Sequence, residues 1–568
     1  RDVATILDEL LDLGALQALP YFADHDRESY EMVLDSARTL ARDVLFPAYR
    51  MLDLAPPTLV DGRVHVHPAL ASLVRRVIDL GFTSAPRPAA VGGAQLPLTV
   101  FSMATAYLMA GNASVYGYVG LTQGAAHLLE AFASDELRAT YMAPMYRGEY
   151  MGTMALTEPH AGSSLADITT TATPASDHYL VSGAKIFISG ADHGMTENIV
   201  HMTLARIAGA PPGMKGVSLF CVPKKRVESG TLVDNDVAIT GLVHKIGWRG
   251  LPSAILAYGE RGDCHGWLVG EPHQGIRYMF QMMNEARIMV GLNGVATASV
   301  AYHESLAYAR DRIQGRVPII QHADVRRMLL RQKAIVTGGL ALVARASYYA
   351  DLAAHAESET RANAQLLLDV LTPIVKSFPA EKGFESNVLA LQIHGGYGYS
   401  SEYLPESWLR DQKLNSIHEG TTGIQAQDLL GRRVMAKGAL AAVGTAIAAA
   451  CARARTSGVD AAWIGEVEKA VGIVGVLTME LAQRGMGGDA NGMMLHATDY
   501  LDLFATVIIA WQWIELAAVA QGRDDDYHRG LIAAAQYWIF TELPRVDVLA
   551  KLCRDAESSY GALDPAWL

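Results

Sequence analysis

Apolar residues recur at intervals of three and four positions through much of the first 149 residues. The clearest example is Ser29–Leu45, where this spacing places apolar side chains on one face and predicts an amphipathic helix. Prolines at 56–57 and between Pro86 and Pro97 interrupt the spacing and predict connecting loops. We therefore predict a helical domain over residues 1–149.

Short runs of β-branched and aromatic residues replace this pattern in the next part of the chain. Turn signals such as Ser182-Gly183 and Pro211-Pro212-Gly213 are expected to separate these runs. The pattern predicts a β domain over 150–271, inserted between helical regions. Its expected strands cover 168–173, 185–189, 199–204 and 217–222.

Helical spacing then resumes, with long segments at 289–310 and 325–354, and predicts a helical bundle over 272–436. After Lys437-Gly438 an alanine-rich helical tail follows, which we predict to be an additional domain over 437–568. Trp511 and Trp513 in this tail are expected to be core residues. The predicted fold class is α+β, mostly α.

Composition indicates a large soluble enzyme. The chain has 568 residues, too many for one core, and half of them are apolar while 19% are charged. The net charge of -12 argues against a nucleic-acid-binding protein, because phosphate neutralisation by Lys and Arg supplies most of that affinity. We expect no nucleic-acid partner.

The cysteines and the apolar runs give expectations about metal and location. The 4 cysteines lie far apart without a CxxC pair, so neither a zinc site nor a redox dithiol is expected. The apolar run Ala439–Ala452 is shorter than the roughly 20 residues that span a bilayer. No cleavable leader is visible. We predict a cytoplasmic protein without an integral membrane segment.

A single carboxylate, Glu419, lies in a turn flanked by small residues before the helix-like segment 426–433. Gly420 permits unusual backbone angles, and the threonines that follow can cap a helix start. Held there, the carboxylate could act as a base. Taken alone, however, an acidic residue near a helix N-terminus more often reflects favourable dipole chemistry.

Two further segments suggest binding of a flat ring or a phosphate. The stretch Met154–Ser164 follows an expected strand and presents hydroxyls and exposed amides, although an ordinary loop explains it equally well. In 183–190, strand alternation places Phe187 and Ser189 on one face, where they could stack on and bond one ring. A half-buried strand is the plainer interpretation of that segment.

Five motifs, taken together in this order and spacing, resemble the acyl-CoA dehydrogenase family. The resemblance covers about residues 30–433, and the length and tail are similar to the larger members of the family. Residues 266–316 look most like the 3-methylmercaptopropionyl-CoA dehydrogenase type. The implied fold is an N-terminal helical domain, a middle β-barrel and a C-terminal four-helix bundle. The motifs are TEPHAGSS at 157–164, GAKIFISG at 183–190, YARDRIQGR at 308–316, LQIHGGYGYS at 391–400 and IHEGTTGIQ at 417–425.

The resemblance implies FAD as the cofactor and assigns roles position by position. Glu419 matches the catalytic base, Ser163 matches a serine that contacts CoA, and Arg287 is expected to contact the substrate. The implied flavin-ring contacts are Met154, Leu156, Thr157, Phe187 and Ser189, and the other implied FAD contacts are Arg312, Gln392, Gly396 and Thr421.

The implied reaction is α,β-dehydrogenation of an acyl-CoA thioester in fatty acid β-oxidation. Glu419 would remove the α-proton while the β-hydrogen leaves as hydride to flavin N5. The implied electron acceptor is an electron-transfer flavoprotein, and the implied assembly is a homodimer or homotetramer. Two alternatives stay open: an acyl-CoA oxidase that uses oxygen, and a noncatalytic helical interaction protein on the same scaffold.

Some positions depart from the family pattern. Ala286 stands where some members place the base, and Glu285, about 100° around the helix, is expected to be an ordinary solvated or paired acid. Gly423 replaces a glutamine that usually contacts FAD, so Gln425 is a candidate substitute. His418 replaces a common tyrosine. Acyl-chain preference is expected to depend on side chains near 98–109 and 280–289.

Overall fold

The chain is mostly helical. The computed structural model describes the backbone of residues 1–568 and the side chains of all except residues 281–284, which belong to the expected acyl-chain region. The helices are α1 Asp2–Thr5, α2 Leu13–Gln17, α3 Arg27–Leu40, α4 Tyr49–Leu54, α5 Ala69–Asp79, α6 Leu98–Phe132, α7 Asp135–Leu137, α8 Ala143–Tyr146, α9 Gly275–Asp311, α10 Ala323–His355, α11 Ser358–His394, α12 Pro405–Lys413, α13 Thr422–Asp428, α14 Ala439–Thr456, α15 Ala461–Met486, α16 Ala490–Met494, α17 Ala497–Ala520, α18 Asp526–Tyr537 and α19 Arg545–Asp555.

Most strands lie in the middle of the chain. They are β1 Thr58–Val60, β2 Arg63–His65, β3 Tyr150–Ala155, β4 Thr171–Pro174, β5 Tyr179–Ser189, β6 Asn198–Ile207, β7 Val217–Pro223, β8 Lys225–Glu228, β9 Thr231–Asp234, β10 Val237–Leu242, β11 Ser253–Tyr258, β12 His265–Leu268, β13 Ile313–Gln314 and β14 Val317–Pro318. The large sheet runs β10-β11-β5-β12-β7-β6-β3, and β4 pairs with both β5 and β6. Because β4 joins these two strands, β5, β12, β7, β6 and β4 close into a ring.

The predicted order of helical, β and helical regions is confirmed, and so is the middle β-barrel. One turn prediction is wrong, because Ser182-Gly183 lies inside β5 rather than at its end. The glycine is needed for close packing: a Cβ at Gly183 would lie 2.6 Å from the Thr170 Oγ1 atom. The Pro211-Pro212-Gly213 turn does separate β6 from β7, as predicted.

The chain divides into two compact units. One comprises residues 27–96 and 104–286, and the other comprises 1–26, 97–103 and 287–568. The first unit holds the large sheet and most of α6, which is kinked at Asn112. The Asn112 Oδ1 atom accepts a hydrogen bond from the Val115 N–H, which caps the second half of α6. The predicted four-domain boundaries stay a prediction.

The second unit is a helical assembly in which α9, α10 and α11 pack closely. Gly291 on α9 is required there, because a Cβ at this position would lie 2.1 Å from the Val375 carbonyl oxygen on α11. Pro373 and Pro379 both lie inside α11. The Pro379 carbonyl accepts a hydrogen bond from the Gln412 side-chain amide of α12 at 2.8 Å. These contacts fix the α11 segment between the two prolines against its neighbours.

The C-terminal helices join the second unit through α17. Trp511 and Trp513 are fully buried, as predicted, and the Trp513 indole N–H donates to the Ala334 carbonyl of α10. Two helices, α6 and α17, are long and apolar enough to cross a membrane. In their most apolar stretches 83% and 89% of the residues are buried within the fold, which is typical of core helices.

Candidate functional site

Glu419 lies on a tight turn that the surrounding residues hold in place. Its backbone is left-handed, with φ 53°, and Gly420 follows with φ 87°. The Gln425 side-chain amide is buried and donates to the carbonyl oxygens of both residues, each at 3.2 Å. Left-handed backbone is unfavourable for a residue with a side chain, so the turn stores strain at the one carboxylate predicted as a base.

The helix after this turn begins earlier than predicted. α13 starts at Thr422 rather than Ala426, and the Thr421 hydroxyl oxygen accepts from the Ile424 N–H, which confirms the predicted threonine cap. The unusual residue His418 also has a local role, because its Nδ1–H donates to the Leu414 carbonyl at 2.8 Å. The expectations that Thr421 and Gln425 contact FAD stay predictions.

The environment of Glu419 disfavours its charged form. The side chain is only partly exposed, and burial raises the pKa of the Glu419 carboxyl above its ordinary value. Lys376 and Arg287 oppose this shift, because nearby positive charge favours the carboxylate. A carboxyl with a raised pKa is a stronger base when ionised, which suits removal of a weakly acidic proton.

Arg287 is committed to an ion pair within the bundle. It is 2% exposed, and its Nη1 atom donates to the Asp428 Oδ2 atom of α13 at 2.7 Å. The pair connects α9 to the helix that follows the Glu419 turn. The expected substrate contact of Arg287 stays a prediction, and its observed partner gives it a clear structural role.

A cleft at the ends of α9 and α11 brings together three of the predicted FAD contacts. The cavity of 660 Å³ is lined by Arg312, Gln392 and Gly396. The Arg312 guanidinium lies 5.7 Å from the ring centroid of Tyr397, which also lines the cleft. A guanidinium, a side-chain amide and a glycine backbone are suitable partners for a phosphate or a nucleotide base.

In the other unit, the exit of β3 and the end of β5 lie side by side. The Ile186 N–H donates to the Thr157 carbonyl at 2.9 Å, and the Lys185 Nζ atom donates to the Leu156 carbonyl at 3.0 Å. Met154, Leu156 and Thr157 are partly exposed. The structure therefore brings the two sequence segments predicted to contact a flavin ring next to each other.

Phe187 is the most unusual residue of this surface. It is 59% exposed and has φ 63°, whereas Ile188 beside it is 2% exposed. Ser189 is partly exposed, but the predicted alternation does not hold through this segment, because the pairing of β5 with β11 shifts register between Lys185 and Ile188 and Ile186 is partly exposed as well. The strained backbone that holds this aromatic ring in solvent agrees with the predicted ring contact of Phe187, which stays a prediction. Ser163, the predicted CoA contact, is exposed in the loop after β3.

Glu158 was missed by the sequence analysis, although it lies within the TEPHAGSS motif. Its carboxylate is buried and accepts from the backbone and hydroxyl donors of both Thr169 and Thr170, and from the Lys185 Nζ atom. These bonds fix the loop after β3 against β5. The only signal in the sequence was a pair of opposite charges, one in each of two motifs that otherwise contain no Asp, Glu, Lys or Arg.

Glu285 has the role expected of an ordinary helix acid. Its Oε2 atom lies 3.0 Å from the His127 Nδ1 atom, and its side chain is half exposed. All four cysteines are buried as free thiols. Within the part of the chain whose side chains are described, no cluster of His, Cys, Asp or Glu could hold a metal ion.

Comparison with known proteins places this geometry in a family. Family models described as the N-terminal, middle and C-terminal domains of acyl-CoA dehydrogenase match residues 27–149, 153–258 and 273–435. A model described as acetyl-CoA dehydrogenase C-terminal like matches residues 440–564.

Individual proteins match over nearly the whole chain. The 3-methylmercaptopropionyl-CoA dehydrogenase of Ruegeria pomeroyi is 36% identical over 98% of this chain and 97% of its own length. A butyryl-CoA dehydrogenase of Syntrophomonas wolfei is 31% identical over 98% and 97%. The fold matches that of a Bacillus anthracis acyl-CoA dehydrogenase complexed with FAD, with TM-score 0.75, 19% identity and coverage of 97% and 91%. The chain belongs to the acyl-CoA dehydrogenase family of oxidoreductases that act on acyl-CoA.

Proposed function

We propose that the protein catalyses FAD-dependent α,β-dehydrogenation of an acyl-CoA thioester, with Glu419 as the base that removes the α-proton. The observation that carries this proposal is the strained turn at Glu419, which holds a partly buried carboxyl of raised pKa. Strained backbone and perturbed ionisation at one position are characteristic of catalytic groups.

The residues of the chain suit FAD in two places. Phe187 presents an exposed aromatic ring on a strained strand backbone, as a partner for a flat ring system requires. Arg312, Gln392 and Gly396 line a cleft suited to a dinucleotide. When bound, FAD supplies the acceptor for the hydride that leaves the β-carbon.

The chain's own groups account for the proton transfer. The ionised Glu419 carboxylate takes the α-proton, and negative charge develops on the thioester oxygen. Among the described residues no acceptor is bonded to the Glu419 backbone N–H, so this N–H is a suitable donor to that oxygen. The Gln425 amide fixes the turn through hydrogen bonds to the Glu419 and Gly420 carbonyls.

The proposed substrates are CoA thioesters of short acyl chains. Two relatives that match over nearly the whole chain are named for butyryl-CoA and 3-methylmercaptopropionyl-CoA, both short and unbranched. We propose an electron-transfer flavoprotein as the acceptor. We also propose that the protein forms a homodimer or homotetramer and that it is located in the cytoplasm.

An anaerobic titration tests the proposal. The purified protein should carry a yellow flavin whose absorbance bleaches on addition of butyryl-CoA or 3-methylmercaptopropionyl-CoA and changes little with long-chain thioesters. Reoxidation by an electron-transfer flavoprotein without peroxide release is expected. Rapid peroxide release that the flavoprotein leaves unchanged would indicate an oxidase, and purification without flavin would indicate the noncatalytic interaction protein.

A further inference from the structure

Lys376 is buried inside the helical unit. It lies on α11 between Pro373 and Pro379, and its side chain is 0% exposed. Its Nζ atom has no hydrogen-bond partner among the described residues. An ammonium group that loses its water shell without a partner is unfavourable for folding, so its retention suggests a role beyond packing.

The other buried lysines differ from Lys376 in this respect. Lys185 donates to the Glu158 carboxylate at 2.8 Å, and Lys382, also on α11, donates to the Glu385 carboxylate at 2.9 Å. Both therefore have the ion pairs that usually accompany buried charge. Of these three lysines, only Lys376 has no hydrogen-bond partner among the described residues.

The charged groups around Lys376 include the proposed base. They are Glu381 on α11, Glu419 on the turn before α13, and Arg287 on α9. The hydrogen bond from the Thr422 hydroxyl to the Glu381 carboxylate joins α11 directly to the residues that follow the Glu419 turn. Glu381 already accepts a hydrogen bond from the Thr422 hydroxyl, and the charge of Arg287 is opposed by Asp428. Among the described residues, Lys376 is therefore the positive charge near Glu419 that has no hydrogen-bonded carboxylate.

We propose that Lys376 is a positioning residue for the reaction, whose buried positive charge holds the Glu419 carboxyl in its ionised, proton-accepting form. The proposal rests on the proposed function, because it assumes that Glu419 is the base. Burial favours the protonated form of the Glu419 carboxyl, and a protonated carboxyl cannot take the α-proton.

The directions of the pKa shifts agree with this arrangement. Burial raises the pKa of Glu419, while Lys376 and, to a smaller extent, Arg287 lower it. Burial also lowers the pKa of Lys376, to about 8, and Glu381 and Glu419 oppose that shift while Arg287 adds to it. Lys376 is thus mostly protonated near neutral pH, where its charge is available to Glu419.

The test is the pH dependence of anaerobic flavin bleaching by butyryl-CoA in a stopped-flow instrument. In the wild type the rate constant should rise with pH as Glu419 ionises. In Lys376→Met we expect the midpoint of this rise to move upward by about one pH unit. At pH above both midpoints the rate constant should return to within a few-fold of wild type, which general damage to the site would not allow.

Lys376→Gln is a second variant, which removes the charge but keeps a polar side chain, and its midpoint should move in the same direction. Lys382→Met is the matched control, because it removes a buried lysine from the same helix and should leave the midpoint unchanged. Flavin content should match wild type in all three proteins. Unshifted midpoints in both Lys376 variants would overturn the inference, while normal bleaching in Glu419→Gln would instead overturn the proposed function.

Discussion

The Lys185 ammonium donates to the Glu158 carboxylate at 2.8 Å, and this bond joins two sequence motifs through residues that lie 27 positions apart. Both side chains are almost completely buried, with exposures of 0% and 1%. Glu158 precedes the loop that carries Ser163, and Lys185 lies two residues before Phe187 on β5. The ion pair therefore positions the surface on which we propose that the flavin ring lies.

Replacement of Lys185 should strongly destabilise the unit that holds the large sheet. Lys185→Met leaves the Glu158 carboxylate buried without its cation, which should lower the free energy of unfolding by about 3 to 5 kcal/mol. Thermal unfolding and flavin content measure the effect. Lys469→Met is the control, because its partner Asp547 and Lys469 itself are both half exposed, and it should change stability far less than Lys185→Met does. Equal losses in the two variants would contradict the account.

Acid should weaken the same contact. Burial opposes ionisation of Glu158, but Lys185 and the threonine donors outweigh it and lower the pKa to about 2. The depressed pKa stabilises the fold above the ordinary pKa of 4.5, and this contribution is lost as pH falls toward 2. Stability measured across this range should fall less steeply in Glu158→Gln than in wild type. Parallel curves would show that Glu158 does not contribute.

Phe187→Gly should separate flavin binding from folding. Glycine relieves the left-handed backbone, by roughly 1 kcal/mol, and also gains freedom in the unfolded chain, so the stability of the flavin-free protein should change little. Loss of the aromatic contact should weaken FAD binding by roughly tenfold. Fluorescence titration of the flavin-free protein measures the affinity, and Phe187→Trp should retain it. Unchanged affinity in Phe187→Gly would exclude a ring contact.

The sequence pattern was sufficient to predict the order of the helical and β regions. It was not sufficient to predict the side-chain contacts that shape the candidate site. Helix and strand periodicity reflects which face is buried, so the β region and the long helices were predictable. The prediction of a turn at Gly183 was wrong because this glycine is required for a different reason. It leaves space for Thr170, a residue from another segment whose position the local sequence does not reveal. The pairing of Glu158 with Lys185 was missed for the same reason, since no local rule connects them.

The cations near Glu419 were equally invisible in the sequence. The local motif identified the carboxylate, and its glycine and threonine neighbours indicated the turn. The cations that oppose its burial come from α9 and α11, 132 and 43 positions earlier in the chain. Tertiary packing alone brings Arg287 and Lys376 near that turn.

The C-terminal helices should depend on a buried ionic network. Arg345 of α10 bonds to Glu515 and to Gln512 of α17, and its guanidinium lies 4.6 Å from the Trp511 ring centroid. Glu515→Gln removes the charge that Arg345 faces, so we expect a loss of about 3 to 5 kcal/mol. Thermal unfolding measures it.

The matched control for that experiment is Glu468→Gln. Glu468 pairs with Arg455 in the same C-terminal region, but both side chains are about half exposed. Its replacement should lower stability by about 1 kcal/mol or less. If Glu515→Gln proves no more harmful than Glu468→Gln, the buried network does not hold α17 to α10.

The central claim is that Glu419 removes the α-proton, and the rate of anaerobic flavin bleaching in Glu419→Gln tests it most directly. The variant should keep its flavin and bind butyryl-CoA, yet bleach more slowly than wild type by at least about a hundredfold. Glu285→Gln is the control, because Glu285 is bonded to His127, and it should bleach at nearly the wild-type rate. Near-normal bleaching in Glu419→Gln would contradict the account.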